Sequence, residues 1–360
     1  MTVHPLLHPE FKLNGEKFPS AEALRVTART FITRKQKEEE AIGHFILEWL
    51  SDKEYIKVKT SGSTGTPKNI NLQKFHVQNS ASATVSYFDI KEGTRALLCL
   101  PSEYIAGKMM LVRAMIAGWD LFISSPEKNP LSRWDLEFDF TAMVPYQVHH
   151  SLPDLHKVKK MIVGGGALSR SLEDILQNQK TEIFATYGMT ETISHIAVRA
   201  VNGSKKSKIF NAIPNVKFSQ TENGCLVIDA PSIANETIVT NDVVALLSEN
   251  SFELLGRIDN VINSGGIKIH PEIIEEKLAR DIQQPFFIAS EKDEILGERV
   301  VLIIESSLPI EEDSIFRKFE NLSQYEKPKK IICTSEFIYT ETGKIRRSMV
   351  LQQLKIESRK

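Results

Sequence analysis

The chain has 360 residues, enough to bury a sizeable core and to form two domains. Its 45 Lys and Arg nearly cancel its 46 Asp and Glu, so no overall field favours nucleic acid or an anionic membrane surface. Three scattered cysteines, Cys99, Cys225 and Cys333, lack metal-ligand spacing and suit a reducing compartment. The opening Met1-Thr2-Val3-His4-Pro5 has neither a basic region nor an apolar core and does not read as a signal peptide. The most apolar stretch, 105–123, is broken by Lys108, Arg113 and Asp120 and is too polar to span a bilayer. A soluble cytoplasmic protein is expected, with no nucleic-acid partner and no stable membrane insertion.

In chain order, residues 1–54 carry little beyond a turn at Leu13-Asn14-Gly15 and an amphipathic helix over 38–50. That helix places Ile42, Phe45, Ile46, Trp49 and Leu50 on one side. Residues 55–59 alternate as a half-buried strand. Next comes Thr60-Ser61-Gly62-Ser63-Thr64-Gly65-Thr66-Pro67-Lys68, which cannot continue a strand. Glycine lets backbone N–H groups converge on an anion, the hydroxyls of Ser61, Ser63, Thr64 and Thr66 add donors, and Lys68 adds charge. Phosphate is the natural guest, although such a cluster also suits a solvated loop. The Walker pattern fails, because Lys68 follows Pro67. A helix over 73–88 is predicted, its positive end near the phosphates.

Apolar runs at 96–100, 121–123, 141–144 and 160–163 alternate with helical or loop segments, including a helix from Gly107 to about Ala117. The pattern predicts a largely parallel, layered α/β architecture. Gly164-Gly165-Gly166-Ala167-Leu168-Ser169 reads as a tight turn before a helix capped by Ser169 or Ser171. In Thr186-Tyr187-Gly188-Met189-Thr190-Glu191-Thr192, Tyr187 offers an aromatic face for adenine and Thr190 a hydroxyl for the α-phosphate. Glu191 is a hard carboxylate suited to Mg²⁺. Asp242 reads as a residue at the start of a strand over 243–247. Gly256-Arg257-Ile258-Asp259-Asn260-Val261-Ile262-Asn263-Ser264-Gly265-Gly266-Ile267-Lys268-Ile269 precedes a helix opened by Pro271. The tail holds Thr340, Gly343, Lys344 and Arg347 in a Thr-x-x-Gly-Lys-x-x-Arg array.

These four strings, in this order, resemble the acyl-adenylate-forming superfamily of AMP-binding enzymes: acyl-CoA ligases, peptide-synthetase adenylation domains and luciferases. The resemblance implies a large N-terminal domain of layered sheets and helices, 1–257, and a small mobile α+β lid, 258–360. It implies a phosphate loop of Thr60, Ser61, Gly62, Ser63, Thr64, Gly65, Thr66 and Lys68. It places Gly165, Gly166, Ala167, Tyr187, Gly188 and Met189 around adenine, Asp242 and Arg257 on the ribose, and Asp259 at the hinge. Thr190, Glu191 and Lys344 become the catalytic set, with Glu191 on the metal. Members of the superfamily usually carry a much longer segment before the phosphate loop, and Asn241 stands where a glycine is common.

Leu-Asn-Gly near the start, the string from Tyr104 to Ala114 and Tyr187-Gly-Met-Thr-Glu-Thr-Ile-Ser-His195 are most similar to compact o-succinylbenzoate–CoA ligases of menaquinone synthesis. That resemblance implies ATP, Mg²⁺ and coenzyme A, with a small carboxylic acid as the activated substrate. Tyr104, where relatives have His, and Lys108, Arg113 and His195 are the acyl-side candidates. Lys108 and Arg113 are five residues apart, so one at most faces the pocket, and surface solvation is the simpler reading of both. His149 and His150 read as helix surface. Two alternatives stay open: loading of a carrier protein in place of coenzyme A, and nucleotide binding without catalysis.

Overall fold

The computed structural model describes residues 6–59, 69–308, 310–339 and 345–356. The candidates at 60–68, and Thr340, Gly343 and Lys344, lie outside the described residues. Strands β1 (Lys12–Leu13) and β2 (Glu16–Lys17) form a hairpin. Asn14 (φ 52°) and Gly15 (φ 81°) supply the two left-handed residues that such a tight turn requires. Helix α1 (Ala21–Thr33), absent from the sequence reading, is capped by Ser20 and buries Leu24, Ala28 and Phe31. Helix α2 (Lys37–Trp49) buries Ile42, Phe45, Ile46 and Trp49. Gly43 lets the two helices approach closely, since a Cβ there would come 2.5 Å from the Ala28 carbonyl.

Strands β3 (Tyr55–Lys59) and β4 (Asn69–Gln73) pair antiparallel, from Tyr55 against Gln73 to Lys59 against Asn69. Residues 60–68 therefore join the strands at the Lys59–Asn69 end. Helix α3 (Lys74–Tyr87) begins at the other end, where the Lys74 amide bonds the Glu54 carbonyl. Four strand steps, about 13 Å, separate the α3 N-terminus from the loop's attachment points. Strand β4, absent from the sequence reading, separates the loop from the helix along the chain.

The parallel core follows. It contains β5 (Arg95–Leu98), α4 (Ile105–Ala117), β6 (Asp120–Ile123), β7 (Phe138–Met143), α5 (Pro145–His150), β8 (Val158–Val163), α6 (Arg170–Leu176) and β9 (Glu182–Gly188). Beyond β9 come β10 (His195–Ala200), β11 (Ile209–Ala212), β12 (Lys217–Gln220), β13 (Cys225–Asp229), β14 (Ile238–Ser248) and β15 (Ser251–Arg257). All of these strands except the β3–β4 pair join into one thirteen-stranded sheet, β12-β13-β14-β15-β11-β10-β9-β8-β7-β5-β6-β1-β2. Only the run from β9 to β1 is parallel, which corrects the largely parallel expectation. No helix lies between β10 and β15 to carry a parallel crossover, so those strands pair antiparallel.

A second sheet begins after Arg257. Strands β16 (Ile262–Ser264), β17 (Ile267–Ile269), β18 (Phe286–Asp293), β19 (Gly297–Glu305) and β20 (Lys330–Thr334) carry α7 (Pro271–Leu278), α8 (Glu312–Arg317) and α9 (Arg347–Gln353). Strand alternation sorts its apolar residues onto two faces. Ile288, Val300, Leu302 and Ile304 pack with Ile274, Leu278 and Ile315, while Phe287, Val301 and Ile303 pack with Phe337 and Val350. Helix α7 and the residues after it also reach α6 and the start of β11: Arg280 meets Asp174 at 2.7 Å, and Glu276 meets Arg170 (3.2 Å) and Lys208 (2.8 Å). Among the described residues, no helix is long and apolar enough to cross a membrane.

Candidate active site

The parallel strands deliver their C-terminal ends to one edge of the sheet, where ligands of such folds bind. Strand β8 runs out into Gly164-Gly165-Gly166, with Gly165 left-handed (φ 77°) and Gly165, Gly166 and Ala167 exposed. A Cβ on Gly164 would meet Thr186 Oγ1 at 2.7 Å. That hydroxyl donates to the Val163 carbonyl (3.1 Å) and ties the ends of β8 and β9 together. The result is a strip of bare backbone against which a flat ring can lie.

Beyond β9 the chain doubles back within seven residues. The buried Thr192 hydroxyl accepts from the Met189 amide (2.9 Å) and contacts the Ser194 carbonyl at 2.8 Å. Ile193 is left-handed (φ 66°), a strained state for a β-branched residue. Gly188 has no room for a Cβ beside the Ser194 carbonyl and His195. This turn leaves Thr190 half-buried and Glu191 exposed. Among the described residues no group of three His, Cys, Asp or Glu could hold a metal by itself. A single exposed carboxylate fits Mg²⁺, which keeps several waters and shares phosphate oxygens.

The nucleoside candidates meet around Asp242. It lies within β14, directly opposite Arg257 of β15, and not at a strand start as expected. Tyr187 Oη donates to Asp242 Oδ2 (2.5 Å), and Arg257 Nη1 lies 3.3 Å from Oδ1. Arg257 Nη2 and Asn241 Nδ2 both reach Asp259 Oδ2, at 3.0 and 3.3 Å. Burial first, then the Asp242 charge, raises the Tyr187 phenol so that it stays protonated. Its ring is only 9% exposed and packs edge-to-face on Phe252 at 5.2 Å.

On the acyl side, Tyr104 is half-buried at the N-terminus of α4. Surface solvation of Lys108 and Arg113 is corrected: they are 9% and 2% exposed. Helix α4 is apolar nearly all round, so its charged positions are carried inside with the rest. Lys108 Nζ donates to the Lys57 carbonyl (2.6 Å), 5.2 Å above the Phe45 ring. It lines a cavity of about 760 Å³ between α2, β3 and the segment before α4. Arg113 points elsewhere. Its Nη2 donates to Ser194 Oγ (3.2 Å), which lies 2.7 Å from Ser80 Oγ, while Nε has no partner among the described residues. Burial lowers the guanidinium to about 9, still charged at neutral pH. Beside it His195 bonds Thr84 Oγ1 (3.2 Å) and is held neutral by burial and by the Arg113 charge. Arg113 and His195 are thus brought together at the end of the 186–195 string, and Lys108 is not. Ser80 and Thr84 were missed, though their i, i+4 spacing puts two hydroxyls on one helix face.

The profile of the AMP-binding enzyme family matches residues 56–222. A 2-succinylbenzoate–CoA ligase from Listeria monocytogenes is 25% identical over 325 residues, 82% of this chain and 69% of that enzyme. The o-succinylbenzoate coenzyme A synthetase of Bacillus subtilis, in complex with its acyl-adenylate, shares the fold at 19% identity. Its TM-score is 0.71 over 91% of this chain and 78% of that one. An acyl-CoA synthetase (AMP-forming)/AMP-acid ligase II-like protein from Dyadobacter fermentans is 35% identical, with a TM-score of 0.62 over 92% of this chain and 98% of its own. By its motifs, its fold and that near-complete match, this chain belongs to the AMP-binding enzyme family.

Proposed function

We propose that this chain activates a carboxylic acid with ATP, forming an acyl-adenylate, and then transfers the acyl group to coenzyme A, with o-succinylbenzoate as the acid. The chemistry pairs two anions, since a carboxylate must attack the α-phosphorus while pyrophosphate leaves. The loop at 60–68 receives the phosphates, Thr190 bonds the α-phosphate, and Lys344 neutralises charge that develops between acid and leaving group. Mg²⁺, held by Glu191, supplies Lewis-acid charge neutralisation. Gly165, Gly166, Ala167, Gly188 and Met189 lie along the base, and Asp242 with Arg257 takes the ribose. The domains are 1–257 and 258–360, with Asp259 as the hinge between them, a division supported by the start of a separate sheet after Arg257, and the enzyme works in the cytoplasm.

Arg113 is the observation that carries the choice of acid. A guanidinium 2% exposed, bonded only to a serine and touching a methionine sulfur, has no carboxylate among the described residues. A buried charge in that condition costs several kcal/mol (on the order of 3–5) unless something neutralises it. A substrate with a second, non-reacting carboxylate does so, and the names of the relatives support the same diacid. The test is thioester formation from the diacid and from an analogue lacking one carboxylate. The diacid is expected to be favoured at least about 100-fold in kcat/KM by the native enzyme, and a few-fold at most by Arg113→Met. Equal use of diacid and monoacid by the native enzyme would remove o-succinylbenzoate. Turnover with a carrier protein and none with coenzyme A would move the chain to the carrier-loading class.

A further inference from the structure

We propose that Tyr339 and Arg347 are positioning residues for Lys344 in adenylate formation, which rests on the reading of Lys344 as the cation that neutralises charge between acid and leaving group. They flank it in the chain, five residues before and three after. Tyr339 pairs antiparallel with Ile345, and the Arg346 amide donates to the Ile338 carbonyl (2.7 Å), so the segments on either side of 340–344 are held to each other. Ile345 directly follows Lys344, and its place therefore limits where the lysine backbone can lie.

Each side of this paired base is tied to the small sheet by one carboxylate that accepts twice. At the end of β19, Glu305 accepts from the Phe337 amide (2.9 Å) through Oε1 and from the Tyr339 hydroxyl (2.5 Å) through Oε2. On α7, Glu275 accepts from the Ile288 amide of β18 (2.8 Å) through Oε1 and from Arg347 Nη2 (2.7 Å) through Oε2. The Arg347 guanidinium lies 5.6 Å from the centre of the Phe287 ring, which packs on buried Phe337 at 5.3 Å. Ile338 and Ile345 pack against the same apolar face. The base cannot shift along the sheet without giving up a charged hydrogen bond on one side or the other. A lysine side chain is a point charge on a flexible four-carbon stem, so where its charge arrives depends on where its backbone is held. A misplacement of about 1 Å can cost on the order of 10²-fold in rate.

Tyr339→Phe removes one oxygen from a residue that is 41% exposed, so the fold is kept. Arg347→Met combined with Glu275→Gln removes the second anchor without leaving its carboxylate buried and unpaired. Glu272, 3.9 Å from Arg347, keeps Asn260 as a partner. Melting curves close to native check both variants. Single-turnover rates are measured with o-succinylbenzoate, ATP and Mg²⁺ for adenylate formation, and with pre-made acyl-adenylate and coenzyme A for thioester formation. Tyr339→Phe is expected to slow adenylate formation about tenfold, the usual loss for one hydrogen bond to a charged group, and the double variant about 10–100-fold. The KM for ATP and the rate of thioester formation stay within about threefold of native. In a Lys344→Ala background both variants change adenylation less than about twofold, because no lysine is left to place. Equal losses in both steps, or losses that persist in full without Lys344, would assign the anchors to the fold and overturn the proposal. Native adenylation in both variants, with Lys344→Ala slow, would overturn it while leaving the reading of Lys344 intact. Native adenylation by Lys344→Ala would sink the two together.

Discussion

Arg113 and His195 sit side by side inside the protein, one charged and one neutral, and the Arg113 charge helps burial to keep His195 neutral. Replacing the guanidinium by an apolar chain of similar length removes a buried charge that the fold does not itself neutralise. Arg113→Met is therefore expected to melt no lower than the native protein, and up to several degrees higher, while losing diacid turnover. A lower melting point would show that Arg113 has a structural partner in the free enzyme. His195 gives a pH dependence of defined sign. Its folded pKa lies well below the ordinary value of 6.5, so below that pH the unfolded chain takes up a proton that the folded chain refuses. Stability from this residue is fully present above pH 6.5 and declines as pH falls, by at most about 1.4 kcal/mol per pH unit. His195→Gln is expected to flatten the fall in melting temperature between pH 7 and pH 5, and identical slopes would refute the assignment. Glu191→Gln keeps shape and loses charge. It is expected to raise the Mg²⁺ concentration needed for half-maximal adenylation, as a magnesium titration would show.

At the scale of elements, the legible parts were those where one residue type dictates a local conformation. The Asn14-Gly15 hairpin, the Pro271 helix start and the Ser169 cap all lie where the sequence placed them, because each follows from backbone sterics or one hydrogen bond. The motif strings located the ends of β8 and β9 for the same reason. What stayed hidden depends on contacts remote in sequence. The buried face of α1 is defined by packing against residues such as Gly43 of α2, and the antiparallel pairing of β10 to β15 by the lack of intervening helices. Arg113 reads as either a pocket candidate or a surface cation, because the residues around it, Ser194 and behind it Ser80, come from elsewhere in the chain. The turn after β9 ties local sequence to the site. A Cβ at Gly188 would press on the backbone of Ser194 and His195, which cannot yield like a flexible side chain. Gly188→Ala is expected to cost about 1–3 kcal/mol in stability and to lower activity further by moving Thr190 and Glu191. Denaturant unfolding alongside kcat would detect both.

Across the whole molecule, the two sheets meet through contacts that are polar and partly exposed. Arg280 with Asp174, and Glu276 with Arg170 and Lys208, are each 26–58% exposed at their side chains, in the range where an ion pair is worth about 0–1 kcal/mol. An arrangement held this lightly can exchange with another, as the proposed two-step reaction would require. Lys344→Ala is expected to slow adenylation about 10²–10³-fold and to leave thioester formation from pre-made acyl-adenylate within a few-fold. Single-turnover rates of the two steps separate this from equal losses, which would mean a structural role.

The central claim, that this chain adenylates o-succinylbenzoate, is tested most directly by acid-dependent ATP–pyrophosphate exchange across aromatic diacids, fatty acids and amino acids. The account predicts robust exchange with o-succinylbenzoate and Mg²⁺, little with the other acids, and AMP release with thioester formation once coenzyme A is added. Exchange with fatty or amino acids and none with o-succinylbenzoate, or no exchange with any acid by a protein that binds ATP, would contradict it.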